Sequence, residues 1–210
     1  MVKTVLTLLL IASGAAAASS TAAAPSVSLQ IKPSAITYGQ EVVLRGRAPH
    51  ARAREQVTVL ARMCSFSGAV PVRTLTTRRA GAFSFRVGPT LNTTYVVPWR
   101  KPSSRRVVVR VAPHVDVDTA GANRFRITVS AGGGASFAKK RALLQRRVGT
   151  KWRTLRSARL ALVSPPDALT SVSSATVTAR VPRGTKLRAV LPLVSAKPCY
   201  RPGISSLLTR

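Results

Sequence analysis

Few side chains in this 210-residue chain are equipped for acid–base, nucleophilic or metal chemistry. The carboxylates are Glu41, Glu55, Asp116, Asp118 and Asp167, and the imidazoles are His50 and His114. Glycoside hydrolysis needs two carboxylates converging on one bond, whereas Glu41 and Glu55 fall beside separate turns. Neither histidine belongs to a nucleophile motif such as G-x-S-x-G, and no glycine-rich phosphate loop precedes a helix. A hydrolase would require an acid and a histidine to meet in a cleft. The expectation is a non-enzymatic protein with no catalytic residue and no cofactor. His114, Asp116 and Asp118 alternate with Val115 and Val117 and so share one strand face. Such ligands could contribute to a Ca²⁺ site, but three groups in a row along a strand cannot surround an ion. The preferred reading is a solvated face that relieves local positive charge, and no metal site is assigned.

Charge is the chain's most extreme property. Lys and Arg number 34 against 5 Asp and Glu, a formal net charge of +29. One account is that outward strand positions need polar residues and this sequence fills them with Arg. Arg45, Arg47, Arg106, Arg110, Arg124 and Arg126 fit it, as do Arg180 and Arg188. The sharper account makes the first six candidate contacts for a polyanion, an acidic cell-wall polymer or extracellular nucleic acid, drawn by counterion release without sequence specificity. Specific nucleic-acid recognition is not expected, since Tyr95 and Trp99 are better spent in a core than on base stacking. Candidate partners are anionic cell-wall polymers or another surface protein. One basic face would favour a dedicated polyanion binder; dispersed charge would favour a structural module.

The N-terminus predicts export. Lys3 supplies a positive start, Val5–Ala12 an apolar run, and Ala16-Ala17-Ala18 a small-residue cleavage pattern. That run is shorter than the roughly 18 residues a membrane span requires. Residues 1–18 read as a signal peptide and 19–25 as a small-residue spacer, giving a secreted chain that is released or held at the cell wall.

The elements that position these residues are short strands. The stretch from Gly88 to Asp118 is the most legible. Polar turn material, Pro89 to Thr94, ends on Tyr95, which with Val97 and Trp99 shares one strand face. In β-sandwiches a tyrosine at this corner buries its ring while its hydroxyl satisfies nearby backbone. After Arg100-Lys101-Pro102, Val107, Val109 and Val111 point one way and Arg106 and Arg110 the other, a period-two pattern. Pro98 predicts that its strand bulges or ends there. Upstream, Val27/Leu29/Ile31, Glu41–Arg47, Gln56–Met63, Val70–Thr76 and Ala82–Val87 make seven strands in all, the spacing of a sandwich. Downstream, Arg124–Val129, Lys140–Val148, Trp152–Leu155, Ala158–Val163, Ala175–Val181 and Leu187–Leu191 follow, with Ile204–Thr209 as closing strand. The fold class is therefore all-β, two tandem sandwiches over residues 26–113 and 114–210. Three short echoes in conserved order suggest related halves: Leu60-Ala61-Arg62 with Leu144-Gln145-Arg146, Arg73-Thr74-Leu75 with Arg153-Thr154-Leu155, and Val97-Pro98 with Leu191-Pro192.

At Tyr38-Gly39-Gln40-Glu41-Val42-Val43-Leu44-Arg45-Gly46, Gly81-Ala82-Phe83-Ser84-Phe85 and Asn92-Thr93-Thr94-Tyr95, the chain resembles tandem bacterial immunoglobulin-like domains of secreted proteins from high-GC Gram-positive bacteria. Leu187–Pro192 joins them more loosely. The resemblance implies spacers, stalks or adhesive modules at the cell envelope and carries no catalytic residue. The antibody pattern is absent: there is no Trp on the third strand and no cysteine pair spaced to bridge one domain.

Cys64 and Cys199 stand 135 residues apart in different units. Strands of a sandwich alternate direction, so the end of the third and the end of the seventh share the pole where the chain leaves the first unit. The loop between the last two strands of the second unit shares a pole with the start of that unit. Both cysteines then fall at the junction, and export permits an inter-domain disulfide. Isolated thiols and intermolecular bridges are the alternatives.

Overall fold

A computed structural model describes residues 27–99, 103–132, 134–164 and 169–210. The segments read as signal peptide and spacer, together with Asp167, lie outside the described residues.

The fold is all-β and sandwich-like. Up to Ala112 the strands are β1 (Ser28–Lys32), β2 (Ala35–Thr37), β3 (Val42–Arg47), β4 (Gln56–Met63), β5 (Val70–Thr76), β6 (Ala82–Val87), β7 (Thr93–Val96) and β8 (Val107–Ala112). They form sheets of order β1-β3-β6 and β2-β8-β7-β4-β5. From His114 onward come β9 (His114–Thr119), β10 (Arg124–Gly132), β11 (Arg141–Val148), β12 (Lys151–Arg159), β13 (Ala161–Leu162), β14 (Thr170–Thr178), β15 (Lys186–Leu191), β16 (Gly203–Ile204) and β17 (Leu208–Thr209). Their sheets run β13-β14-β10-β9 and β12-β11-β15-β16, with β17 also on β15. Every sheet is drawn from one side of Pro113 only, and the two strand orders fit an immunoglobulin-like arrangement.

Period-two alternation places the core. On β4, Val57, Val59 and Ala61 are buried, and on β10 Phe125, Ile127, Val129 and Ala131 are, with Arg124 and Arg126 turned outward. Each Val, Ile or Phe among them contributes about 1.5–3 kcal/mol when withdrawn from water. The buried apolar residues join into one cluster that continues from Val27 to Tyr200.

Several expectations need correction. The span 152–163 is not two strands of four and six residues. Lys151–Arg159 is one strand, and Leu155 is the extra residue of a bulge, because Leu144 pairs with Arg156 and Gln145 with Thr154. The bulge breaks the alternation and so imitates a strand end. The three-residue β2, parallel to β8, is too short to show periodicity. Leu193–Ala196, between the expected strands Leu187–Leu191 and Ile204–Thr209, is one turn of α-helix, here α1. Two of the echoes are not equivalent in place. Leu144 is buried whereas Leu60 is not, and Arg73 pairs with Val59 but Arg153 with Arg146. Val97-Pro98 and Leu191-Pro192 are each a buried residue followed by proline, but they are offset by two residues, because it is Ala189 and not Leu191 that bonds a serine as Val97 does.

One hydrogen-bonding device is repeated in the two halves. The Val97 N–H donates to Ser104 Oγ at 2.8 Å and the Ser104 N–H to the Val97 carbonyl at 2.9 Å. In the second half the Ala189 N–H donates to Ser205 Oγ at 2.8 Å and the Ser205 N–H to the Ala189 carbonyl at 3.0 Å. Each serine hydroxyl also donates to the carbonyl of the residue that follows it, Arg105 and Ser206 respectively. A side-chain oxygen thus replaces a ladder carbonyl where the last strand begins to pair, which explains why the expected strand Ile204–Thr209 is split into β16 and β17. Removing either hydroxyl strands a buried N–H, at a cost of about 1–3 kcal/mol. Ser104→Ala and Ser205→Ala should each lower the urea midpoint accordingly, while Ser84→Ala, on an exposed position, should leave it within about 0.5 kcal/mol.

Candidate functional site: the junction and the basic surfaces

The junction is built from chain ends. Cys64 follows the last residue of β4, and Cys199 follows α1 on the stretch leading to β16. The two are disulfide-bonded, with Cα atoms 5.3 Å apart. Asn92 sits at the centre. Its carbonyl accepts from the Cys64 N–H at 2.9 Å, its N–H donates to the Cys199 carbonyl at 3.0 Å, and its side-chain oxygen accepts from the Val111 N–H at 2.7 Å. The Arg201 N–H then donates to the Val111 carbonyl at 2.9 Å. Residues on both sides of Pro113 are thus joined by backbone hydrogen bonds as well as by the covalent bridge.

Two tyrosines complete the contact, Tyr38, named in the sequence only as part of a turn stretch, and Tyr200, which no motif marks. The Tyr38 hydroxyl lies 2.7 Å from Thr170 Oγ1, and the Tyr200 hydroxyl donates to the Gly132 carbonyl at 2.8 Å. Gly132 is glycine for a steric reason: a Cβ there would lie 2.6 Å from the Tyr38 ring. The Tyr200 ring meets Phe137 edge-on at 5.4 Å between centroids. Their only sequence signal was a tyrosine in a turn and one beside a cysteine. Tyr95 is buried on β7, in the first-half core rather than at the junction. Trp99 is half-buried against that core.

A cleft of about 430 Å³ opens beside the disulfide, bounded by Phe66, Leu91, Phe137 and Pro198 with Lys140 and Lys197. Its described lining includes neither carboxylate nor imidazole. His114 and Asp116 do meet, Nε2 to Oδ2 at 2.8 Å, but on the exposed outer face of β9 rather than in a cleft. Asp118 on the same face pairs across the ladder with Arg126. Among the described residues no three His, Cys, Asp or Glu side chains gather as metal ligands would. Glu55 is tied to its own turn, accepting from the Arg52 N–H at 3.0 Å. Glu41 and His50 are exposed.

The six candidate arginines do not form one surface. Arg45 and Arg47 lie on β3, Arg110 on β8 with Arg106 just before it, and Arg124 and Arg126 on β10. These strands belong to three different sheets. All six are exposed. No helix among the described residues is long and apolar enough to cross a membrane. No protein-family model matches the chain, and no curated protein matches it either.

Burial pushes the Tyr95 phenol up to about 12. It raises Tyr200 as well; the neighbouring Tyr38 adds to that shift and the Gly132 hydrogen bond offsets part of it. The unfolded chain loses these protons near pH 10, while the native chain retains them. The stabilisation is therefore complete below pH 10 and lost as pH rises through the native values. Urea midpoints should be flat from pH 7 to 9 and fall above about pH 10, and Tyr200→Phe should reduce that alkaline slope.

Proposed function

We propose that the chain is an exported, non-enzymatic structural or adhesive module of two immunoglobulin-like sandwiches, working at a cell envelope of the kind found in high-GC Gram-positive bacteria. The observation that carries this reading is the junction. A covalent bridge, backbone hydrogen bonds and a packed tyrosine pair hold the two halves in a defined relation, which is what a spacer or stalk needs and what a flexible tether lacks. The N-terminal charge, apolar run and small-residue site support export, and export supplies the oxidising surroundings in which the disulfide persists. Residues 26–113 and 114–210 serve as the two domains. The alternative, a protein dedicated to binding anionic polymers through one continuous basic face, draws less support from the six arginines, which are spread over three sheets.

Two measurements test the proposal. Mass spectrometry should find the chain in the medium and envelope fractions without residues 1–18; intact chain confined to the cytoplasm would end the reading. Small-angle scattering of the mature protein should give a narrow distance distribution. The Cys64→Ser/Cys199→Ser pair should broaden it and lower stability by about 2–5 kcal/mol.

A further inference from the structure

The outer face of the sheet β12-β11-β15 is crowded with cations. Ala142, Leu144, Leu187 and Ala189 point into the core, so the alternating positions Arg141, Gln145, Arg147, Lys186 and Arg188 point out. Across the ladder Arg141 pairs with Arg159, Arg147 with Trp152, and Gln145 with both Thr154 and Arg188. None of these three strands contains an Asp or Glu. Like charges directly opposite one another destabilise a strand pair, and Arg141 against Arg159 is such a pair. On the neighbouring sheet the matching conflict is relieved, because Arg126 there pairs with Asp118.

This face also carries an ordered set of polar and aromatic groups. The Arg188 Nε–H donates to Gln145 Oε1 at 2.9 Å, and Gln145 Nε2 donates to Thr154 Oγ1 at 3.4 Å. The Arg188 guanidinium lies over the Trp152 ring, 4.2 Å from its centroid, an arrangement that fixes both side chains. Arg141 reaches Ser157 Oγ at 3.3 Å. From Arg141 to Arg147 the cations extend over about 20 Å, at roughly 3.3 Å per strand residue.

We propose that this face binds a linear acidic polysaccharide, its carboxylates held by Arg141, Arg159 and Arg147 and one sugar ring set beside Trp152. Guanidinium forks match carboxylates in a way that point charges do not. The amide and hydroxyls of Gln145, Thr154 and Ser157 suit sugar hydroxyls. A single-stranded nucleic acid would need successive exposed rings for its bases, and this face offers one ring, already covered on one side. The assignment rests on the adhesive reading only for where the polymer is met; the contact itself is a property of the purified protein, so failure of export and failure of binding are separate results.

The test is calorimetric titration of the mature chain with polygalacturonate oligomers at graded salt, with neutral dextran and poly(dT) as comparisons. Arg141→Gln/Arg147→Gln/Arg159→Gln should weaken polygalacturonate binding about tenfold or more. Arg45→Gln/Arg47→Gln/Arg86→Gln, which removes the same charge from another sheet, should weaken it less than about threefold. Trp152→Ala should weaken it without changing the salt slope. Equal losses from both triple variants, tighter binding of poly(dT), or no binding at low salt would overturn the assignment. Should the first triple variant fail to fold, Arg188→Lys serves instead. It keeps the charge but loses the fork and the stack, and a loss of about threefold or more is expected, an unchanged affinity being the overturning result.

Discussion

The segment from Lys197 to Ile204 is the piece on which the rest of the molecule depends. It belongs to the second half in sequence, yet its backbone is hydrogen-bonded to Asn92 and Val111 of the first. Its cysteine is covalently joined to Cys64, its tyrosine is anchored on Gly132, and its last residues begin the pairing with β15. A sandwich of about ninety residues buries only some 60–65% of its unfolded surface and is marginal alone. A segment that serves both halves at once makes the burial in each depend on the other. The continuous buried cluster from Val27 to Tyr200 is the packing counterpart of that dependence.

A second constraint comes from the scarcity of carboxylates. Sheets with one face in water need polar residues at every second position, and in this chain arginine fills many of them. With 34 cations and 5 anions, most arginines have no ion-pair partner within reach. The energetic consequence at an isolated surface site is small, since exposed pairs are worth about 0–1 kcal/mol. It grows where two cations oppose each other in a ladder, as at Arg141 and Arg159. The placement of the few acids therefore matters more than the number of bases. Asp116 and Asp118 on β9 make the neighbouring sheet face mixed in sign, whereas β11, β12 and β15 contain no acid.

Strands with clean alternation were legible in the sequence. Gln56–Met63 and Ala82–Val87 have the bounds that their patterns give, and Val70–Thr76 has its expected bounds despite a register shift against β4. Legibility failed where something other than side-chain period sets the structure. The bulge at Leu155 shifts phase within one strand, the short β2 has no phase to show, and the split between β16 and β17 follows from a serine hydroxyl taking a ladder position. The junction was partly legible for a related reason. Counting strand directions brings Cys64 and Cys199 to one pole, but no pattern marks Tyr38, Asn92 or Gly132, whose roles depend on what lies across the interface. The six arginines were read from alternation alone, which says that they face outward and cannot say that they face the same way.

The serine device bears on how the two halves are related more firmly than the short sequence echoes do. Such short matches are cheap in a chain rich in Arg, Leu and Thr, and none of the three keeps its place in the two halves. The pairing of Val97 with Ser104, and of Ala189 with Ser205, is a two-bond exchange that demands a buried N–H, a serine and a following carbonyl in one geometry. Both examples join a strand to the last strand or strands of its half, β7 to β8 and β15 to β16–β17. A local solution this specific, used twice at the same step of the strand order, is the structural argument that the halves are built on one plan. That plan leaves each half with an outward sheet face at a fixed orientation, so the residues decorating that face, and not the fold, decide what the module can hold.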